Sequence, residues 1–222
     1  MEYYNDKKMI SNVDLRNQNK RYFYRITKRF FDFFASLIGL IIFVPLFLIV
    51  SISIKIEDPK GPVFYSQIRF GKNGKPFKMY KFRSMVVGAE DRLKNLLNKN
   101  EVDGAMFKMK FDPRVTKVGR FIRKYSIDEL PQLLNVLIGD MSLVGPRPPL
   151  PREVKNYSNY DKQRLIVKPG CTGLWQISGR NDVGFSEMVE LDLEYINKRN
   201  FIFDLYILMK TVGVFIKPNG AY

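Results

Sequence analysis

FFASLIGLIIFVPLFLIVSISI, residues 33–54, runs for 22 residues without a charge. At about 1.5 Å of rise per residue a straight helix of that length reaches roughly 33 Å, enough to cross the hydrocarbon core of a bilayer. It is no secretory leader: the polar lead before it is too long, and no small-residue cleavage site follows. Pro45, near the middle, removes a backbone donor and kinks the helix, while Ser36, Ser51 and Ser53 can satisfy the groups so freed. Cations flank both ends, Arg25, Lys28 and Arg29 before and Lys55, Lys60, Arg69 and Lys72 after. With positive charge on both sides, both ends belong in the cytoplasm. A bent helix that enters and leaves by one face is therefore expected within residues 21–56. An ordinary kinked span is the competing reading, and what disfavours it is that the chain beyond Ile54 is basic and rich in phosphate-binding side chains.

The composition narrows the chemistry. Its 222 residues suffice for one catalytic-sized domain with a core. Lys and Arg number 37 against 22 acids, a formal charge of +15, so the partner is polyanionic: nucleic acid, an anionic membrane surface or a phosphorylated small molecule. There is no histidine. Proton transfer and covalent chemistry therefore fall to carboxylates. One cysteine, Cys171, excludes an internal disulfide and a thiolate cluster, and fits a reducing compartment.

Outward from the apolar run, residues 1–20 read as a mobile polar extension, and 57–222 as the cytoplasmic domain. Pro62–Phe70 and Phe77–Arg83 form a β-hairpin about an Asn73-Gly74 turn, with Lys81 and Arg83 on one face of the second strand. An amphipathic helix is expected over Ala89–Lys99 and a basic one at about Lys117–Lys124. Lys168 to Asn181 is a Gly-rich loop region whose amides, with Arg180 as a clamp, can meet phosphate, although turns also collect glycine. Helices at about Phe185–Lys198 and Phe201–Lys217 close the chain, the last with an apolar surface suited equally to a membrane interface and to the domain core. The fold class is α+β, mainly helical.

Ser126-Ile-Asp128-Glu129-Leu-Pro131-Gln132 places two adjacent acids in this basic chain. As a capping box, Ser126 and Glu129 start a helix, with Pro131 in its first turn. That leaves Asp128 surplus, and leaves Gly145-Pro146-Arg147-Pro148-Pro149 without a role, in which two prolines fix the backbone around an arginine. A rigid, charged pocket for an anionic substrate accounts for both.

Together these residues strongly resemble the monotopic phosphoglycosyl transferases of bacteria, which move a sugar-1-phosphate onto a polyprenyl phosphate at the start of exopolysaccharide, capsule and O-antigen synthesis. The resemblance covers about Lys28 to Tyr222. It rests on Lys28-Arg29-x-Phe31-Asp32, Tyr80-Lys81-Phe82-Arg83-Ser84-Met85, the acid stretch, Gly139-Asp140-Met141-Ser142-x-Val144-Gly145-Pro146-Arg147-Pro148, Pro169-Gly170-x-Thr172-Gly173, Gly179-Arg180 and Glu190-Leu191-Asp192. It implies Asp128 as the nucleophile on a UDP-sugar, UMP as the leaving group, and undecaprenyl phosphate as the acceptor. It implies Mg²⁺ on Asp128 and Glu129, with Arg123, Arg147, Lys81, Arg83 and Arg180 toward phosphate or nucleotide and Asp192 as an accessory acid. Pro45, Pro146 and Pro148 are structural under the same reading. The enzyme is then expected on the cytoplasmic face of the plasma membrane, with lipid and not nucleic acid as its polyanion; oligomeric state has no signature here. Residues 100–108 and Gly220-Ala221-Tyr222 look like the hexose-type branch, so glucose-1-phosphate or galactose-1-phosphate is the expected fragment. Lacking a preceding helix bundle, the chain resembles the minimal catalytic unit. Two alternatives stand beside this: a basic membrane adaptor without catalysis, and a glycosyl transferase that releases UDP.

Overall fold

The computed structural model describes residue 13 and residues 21–99, 109, 111–179 and 183–216. The chain opens with helices α1 (Tyr22–Ile42) and α2 (Val44–Glu57), then strands β1 (Phe64–Phe70) and β2 (Pro76–Phe82). Helices α3 (Ala89–Leu93), α4 (Lys117–Lys124) and α5 (Gln132–Ile138) lead to strand β3 (Ser142–Val144). Short helices α6 (Pro151–Val154) and α7 (Asn159–Lys162) precede strand β4 (Gly170–Thr172), and α8 (Leu174–Ser178), α9 (Phe185–Lys198) and α10 (Phe201–Ile216) follow. The α+β, mainly helical class is as expected.

The apolar run bends by 58° at Phe43, between α1 and α2. Pro45 sits in the first turn of α2, where an amide would have no helical partner to lose, so the chain restarts instead of continuing. The serines do not serve that break. Ser36, Ser51 and Ser53 donate to the carbonyls of Phe33, Phe47 and Ile49 at 3.0, 2.6 and 2.9 Å, ordinary back-bonds inside each helix. Among the described residues no single helix is long and apolar enough to cross a membrane, whereas the bent pair meets that test together.

One face of α1 grips the domain. Arg21 donates to the carbonyls of Asn197 and Arg199, both at 2.6 Å, at the end of α9. Tyr24 and Lys28 reach Asp204 of α10 at 2.7 and 2.8 Å. Arg29 caps α5 through the carbonyls of Val136 and Leu137, and Asp32 accepts the Leu143 amide at 3.0 Å. Cations at a helix C-terminus satisfy carbonyls that have no helical donor. Phe23, Phe30, Phe34, Ile38 and Ile41 stay exposed.

The hairpin forms. Asn73 and Gly74 adopt φ of 57° and 70°, but in a three-residue loop, Lys72–Gly74, closed by the Gly71 amide on the Lys75 carbonyl at 2.8 Å, so the register is one residue off that of a two-residue Asn-Gly turn. Val50 and Ile54 of α2 pack with Phe82 and Ile122, joining the bent pair to the hairpin and α4. Glu57 strengthens that joint by accepting the amides of Lys117 and Val118 at 2.7 and 3.0 Å, at the start of α4. The predicted helix over Ala89–Lys99 forms but tightens to 3₁₀ from Lys94.

The Gly-rich stretch is not simply a loop: it forms β4, paired in parallel with β3, and then α8. Glycine serves close approach here, since a Cβ on Gly170 would lie 2.1 Å from the Gly145 nitrogen. The main core surrounds α9, with Met188, Leu193, Tyr195 and Ile196 against Val144, Leu174 and Ile207. Helix α10 divides the two expectations for it: Asp204 and Ile207 are buried, while Ile202, Tyr206, Met209 and Val212 are exposed. The expected extension, residues 1–20, lies outside the described residues apart from Val13, which is buried and donates its amide to Gln163 at 2.8 Å.

Candidate active site

Between α4 and α5 the backbone reverses at Ser126, with φ 52° and ψ 22°. A non-glycine residue in the left-handed region is strained by about 1–3 kcal/mol, and such strain gathers at functional sites. The turn is held by its amides: Ser126 donates to the Arg123 carbonyl at 3.0 Å and Glu129 to the Ser126 carbonyl at 3.1 Å. The following 3₁₀ turn, Ile127–Glu129, buries Asp128. This overturns the capping box. Ser126 makes no side-chain cap, and the Glu129 carboxylate accepts instead from Lys81 Nζ at 2.5 Å. Left-handed geometry at Ser126 breaks the arrangement on which such a box depends.

Lys81 reaches the turn because Phe77, Met79 and Lys81 share one face of β2, the first two buried in the core. Asn135 of α5 holds the same strand by its edge, accepting the Tyr80 amide at 3.0 Å and donating to the Lys78 carbonyl at 2.7 Å. Arg147 approaches on the proline-fixed loop and is oriented by Glu153 at 3.1 Å. Arg69 of β1 clamps that loop through the Pro148 carbonyl at 3.0 Å. Arg69, Lys81, Arg123 and Arg147 surround Asp128 and Glu129 in one cavity of about 260 Å³, with Pro148, Cys171, Trp175 and Gln176 also on its wall.

The two acids are driven apart in acidity. Burial pushes Asp128 up to about 6, with Glu129 adding to the rise and Lys81 opposing it most. Burial works against the Glu129 charge too, but Lys81, Arg147 and Arg69 outweigh it and hold that carboxyl below its usual range. At neutral pH the buried Asp128 is mostly ionised, and so is a poorly solvated anion among cations. Burial and the adjacent Arg147 also lower Arg69, to about 9.

The structure thus brings together Asp128, Glu129, Arg123, Arg147, Lys81 and Pro148. Arg83 and Asp192 do not join them. Strand β2 ends at Phe82, and the Arg83 guanidinium turns away to the Asp58 carboxylate and carbonyl at the end of α2. Asp192 is fully buried in an ion pair with Arg164, whose guanidinium also donates to the Tyr157 hydroxyl at 2.9 Å. Asp192 is a core anchor that does not itself line the cavity, although the backbone of Arg147, which does, lies against its carboxylate. Pro146 is structural, its carbonyl accepting the Gly170 amide at 2.9 Å. Arg180 and residues 100–108 and 220–222 lie outside the described residues.

Arg69, Trp175 and Gln176 were not legible as site residues. The turn signal did not place Arg69: a two-residue Asn73-Gly74 turn would pair it with Lys78, whereas the three-residue loop pairs Arg69 with Phe77, Gln67 with Met79 and Tyr65 with Lys81, which puts Arg69 on the inward face. As for a metal, no group of three or more His, Cys, Asp or Glu among the described residues could hold one. The donor set is the adjacent carboxylates Asp128 and Glu129. That set suits Mg²⁺, which takes one or two carboxylates and completes its shell with water and substrate phosphate.

The chain matches the model of a family described as bacterial sugar transferase over residues 23–218. It is 50% identical over 204 residues to the galactosyl transferase CpsE of Streptococcus agalactiae serotype III, covering 90% of this chain and 44% of that protein. It is 47% identical over 202 residues to the undecaprenyl-phosphate galactose phosphotransferase of Salmonella typhimurium, covering 89% of this chain and 42% of that one. The chain therefore spans less than half the length of these two relatives. The exopolysaccharide production protein ExoY of Rhizobium meliloti is 42% identical over 201 residues, covering 89% of this chain and 88% of ExoY. With a family match that takes in the bent helices, the acid turn and every cation around it, the chain belongs to the bacterial sugar transferase family.

Proposed function

We infer that this chain transfers a sugar-1-phosphate, glucose- or galactose-1-phosphate, from a UDP-hexose to undecaprenyl phosphate and releases UMP, as the first membrane step of exopolysaccharide, capsule or O-antigen synthesis. The observation that carries the reading is the buried Asp128 beneath Lys81, Arg69, Arg123 and Arg147. An ionised, poorly solvated carboxylate is a competent nucleophile without a histidine. Its oxygen attacks the phosphorus that bears the hexose, and the bond from that phosphorus to the oxygen shared with UMP breaks. The cations stabilise the charge that gathers on the phosphoryl oxygens and on the leaving UMP. An oxygen of the polyprenyl phosphate then attacks the aspartyl phosphosugar, and the phosphorus–carboxylate bond breaks to restore Asp128. Glu129 is kept ionised by Lys81. Mg²⁺, when bound, would be held by Asp128 and Glu129 and would offset the repulsion between carboxylate and diphosphate.

The membrane arrangement belongs to the same reading. The α1–α2 pair is a re-entrant hairpin on the cytoplasmic face, its exposed apolar side chains in lipid. The exposed apolar residues of α10 and Phe121 of α4 then lie at the interface. A polyprenyl phosphate keeps its head at headgroup depth, so an acid turn joined to α2 through α4 is suitably placed to receive it.

The test is nucleotide release from protein in nanodiscs supplied with undecaprenyl phosphate, Mg²⁺ and UDP-hexoses. UMP appears with the intact chain and falls by about 10⁴-fold or more in Asp128→Asn, as for loss of a covalent nucleophile. UDP in place of UMP overturns the phosphosugar mechanism, and nucleotide release unaffected by Asp128→Asn overturns the nucleophile.

A further inference from the structure

Nearly every buried polar atom in a folded protein is hydrogen-bonded, so an unpaired one on a residue that lines a cavity points to what the cavity binds. Four buried atoms without a partner belong to residues that line the cavity: Arg69 Nε, Arg123 Nη1, Trp175 Nε1 and Gln176 Oε1. The first two are cationic and suit phosphate. The other two are neutral, one donor and one acceptor, on adjacent residues of α8. A carbonyl oxygen repels a phosphate oxygen, so Gln176 Oε1 is built for a neutral group that can donate.

The orientation of that amide is dictated. Gln176 Nε2 donates to the Cys171 carbonyl at 3.1 Å, which can only accept, so Oε1 is the end left free. Gly173 packs beneath it, where a Cβ would lie 3.0 Å from Oε1 and 2.4 Å from the Gly145 carbonyl oxygen. Backbone on that side leaves the amide little room to swing away.

We propose that Trp175 and Gln176 recognise hydroxyl groups of the donor's hexose, and so set which sugar the enzyme accepts. This rests on the function inferred above. A hydroxyl donates and accepts at once, so one can meet the free Gln176 carbonyl and another the free Trp175 indole N–H. Position favours the hexose over the base. The sugar is joined through a single oxygen to the phosphorus that Asp128 attacks, whereas the base lies beyond a second phosphate and a ribose. The cavity, at about 260 Å³, is slightly below the roughly 300–1,000 Å³ of sites that enclose a whole drug-sized ligand. It therefore suits the reacting end of the donor.

Steady-state kinetics with UDP-glucose and UDP-galactose test this, alongside UMP as a competitive inhibitor, for the intact chain, Gln176→Leu and Trp175→Phe. The second variant removes the indole N–H and some ring volume but keeps an aromatic ring, so it remains informative if the first fails to fold. Each variant is expected to lower kcat/KM for the preferred hexose by about tenfold, the worth of a neutral hydrogen bond, and to erode discrimination between the two sugars. UMP inhibition stays within about twofold, on the scale below one such bond. Weakened UMP binding with sugar discrimination intact would show that the pair reads the nucleoside and overturns the proposal. Unchanged kinetics in both variants overturn it as well. Failure of the underlying reading looks different, because the intact chain then releases no UMP from any donor.

Discussion

Replacing Asp192 by asparagine separates an anchor of the core from an acid of the active site. Its carboxylate and the Arg164 guanidinium are 1% and 0% exposed. Burial disfavours the Arg164 charge, but Asp192 outweighs it and holds the guanidinium above its usual range. Asp192→Asn keeps an amide oxygen that can accept from Arg164 but removes the charge that balances this buried cation, with Tyr157 and the more distant charge of Glu153 left beside it. Breaking one side of a buried ion pair costs about 3–5 kcal/mol. In a chain of this length each kcal/mol lowers Tm by about 2–4 °C, so thermal unfolding in detergent or nanodiscs is expected about 6–20 °C earlier. A double replacement, Arg164→Met with Asp192→Leu, removes both charges and recovers most of that loss, since buried pairs are often matched by apolar groups of similar volume. Turnover per folded molecule, measured well below the lowered Tm, stays within a few-fold. The reasoning is refuted if Asp192→Asn unfolds within about 2 °C of the intact chain, less than 1 kcal/mol on that scale, yet loses turnover by orders of magnitude. Asp192 would then be the accessory acid that the family resemblance implied.

Acid stability is expected to turn partly on Glu153. Burial works against its charge, but Arg147 and the Leu150 amide outweigh this and hold the carboxyl below its ordinary 4.5. A depressed value means stability that is fully present above the unfolded pKa and is lost as pH falls through the folded one. The Tm gap between the intact chain and Glu153→Gln should therefore be widest near neutrality and narrow below pH 4.5, and a gap independent of pH would contradict the assignment. The re-entrant hairpin is testable in cells with Cys171→Ser carrying Tyr22→Cys or Lys60→Cys. An impermeant thiol reagent should leave both unlabelled until the membrane is opened, whereas labelling of one position and not the other means that the segment crosses.

The features legible in the sequence were those decided within a few residues. Pro45 lacks a donor wherever it stands, so the apolar run had to break near it. Asn73-Gly74 can take two positive φ values in succession, so the hairpin followed, although its register, closed by a three-residue loop, did not. Helices α4 and α10 carry their own caps, Thr116 and Asn200, and the bounds of both and of α9 were expected to within a residue or so. The acid pair was identifiable because two adjacent carboxylates exceed what a helix start requires. Tertiary structure alone decided which cations those acids meet. Lys81 and Arg83 share a face by period two, yet β2 ends between them, and Asp58 captures Arg83 from 25 residues away. Arg69 looked like one more flanking charge, and it enters the cavity because the hairpin folds it beside Phe77. Ser126 and Glu129 have capping-box spacing, but Lys81, 48 residues distant, takes the carboxylate and the turn becomes left-handed. Local propensity is written in adjacent residues, whereas the partner of a charge is chosen by burial and by proximity in space, which spacing along a chain does not record.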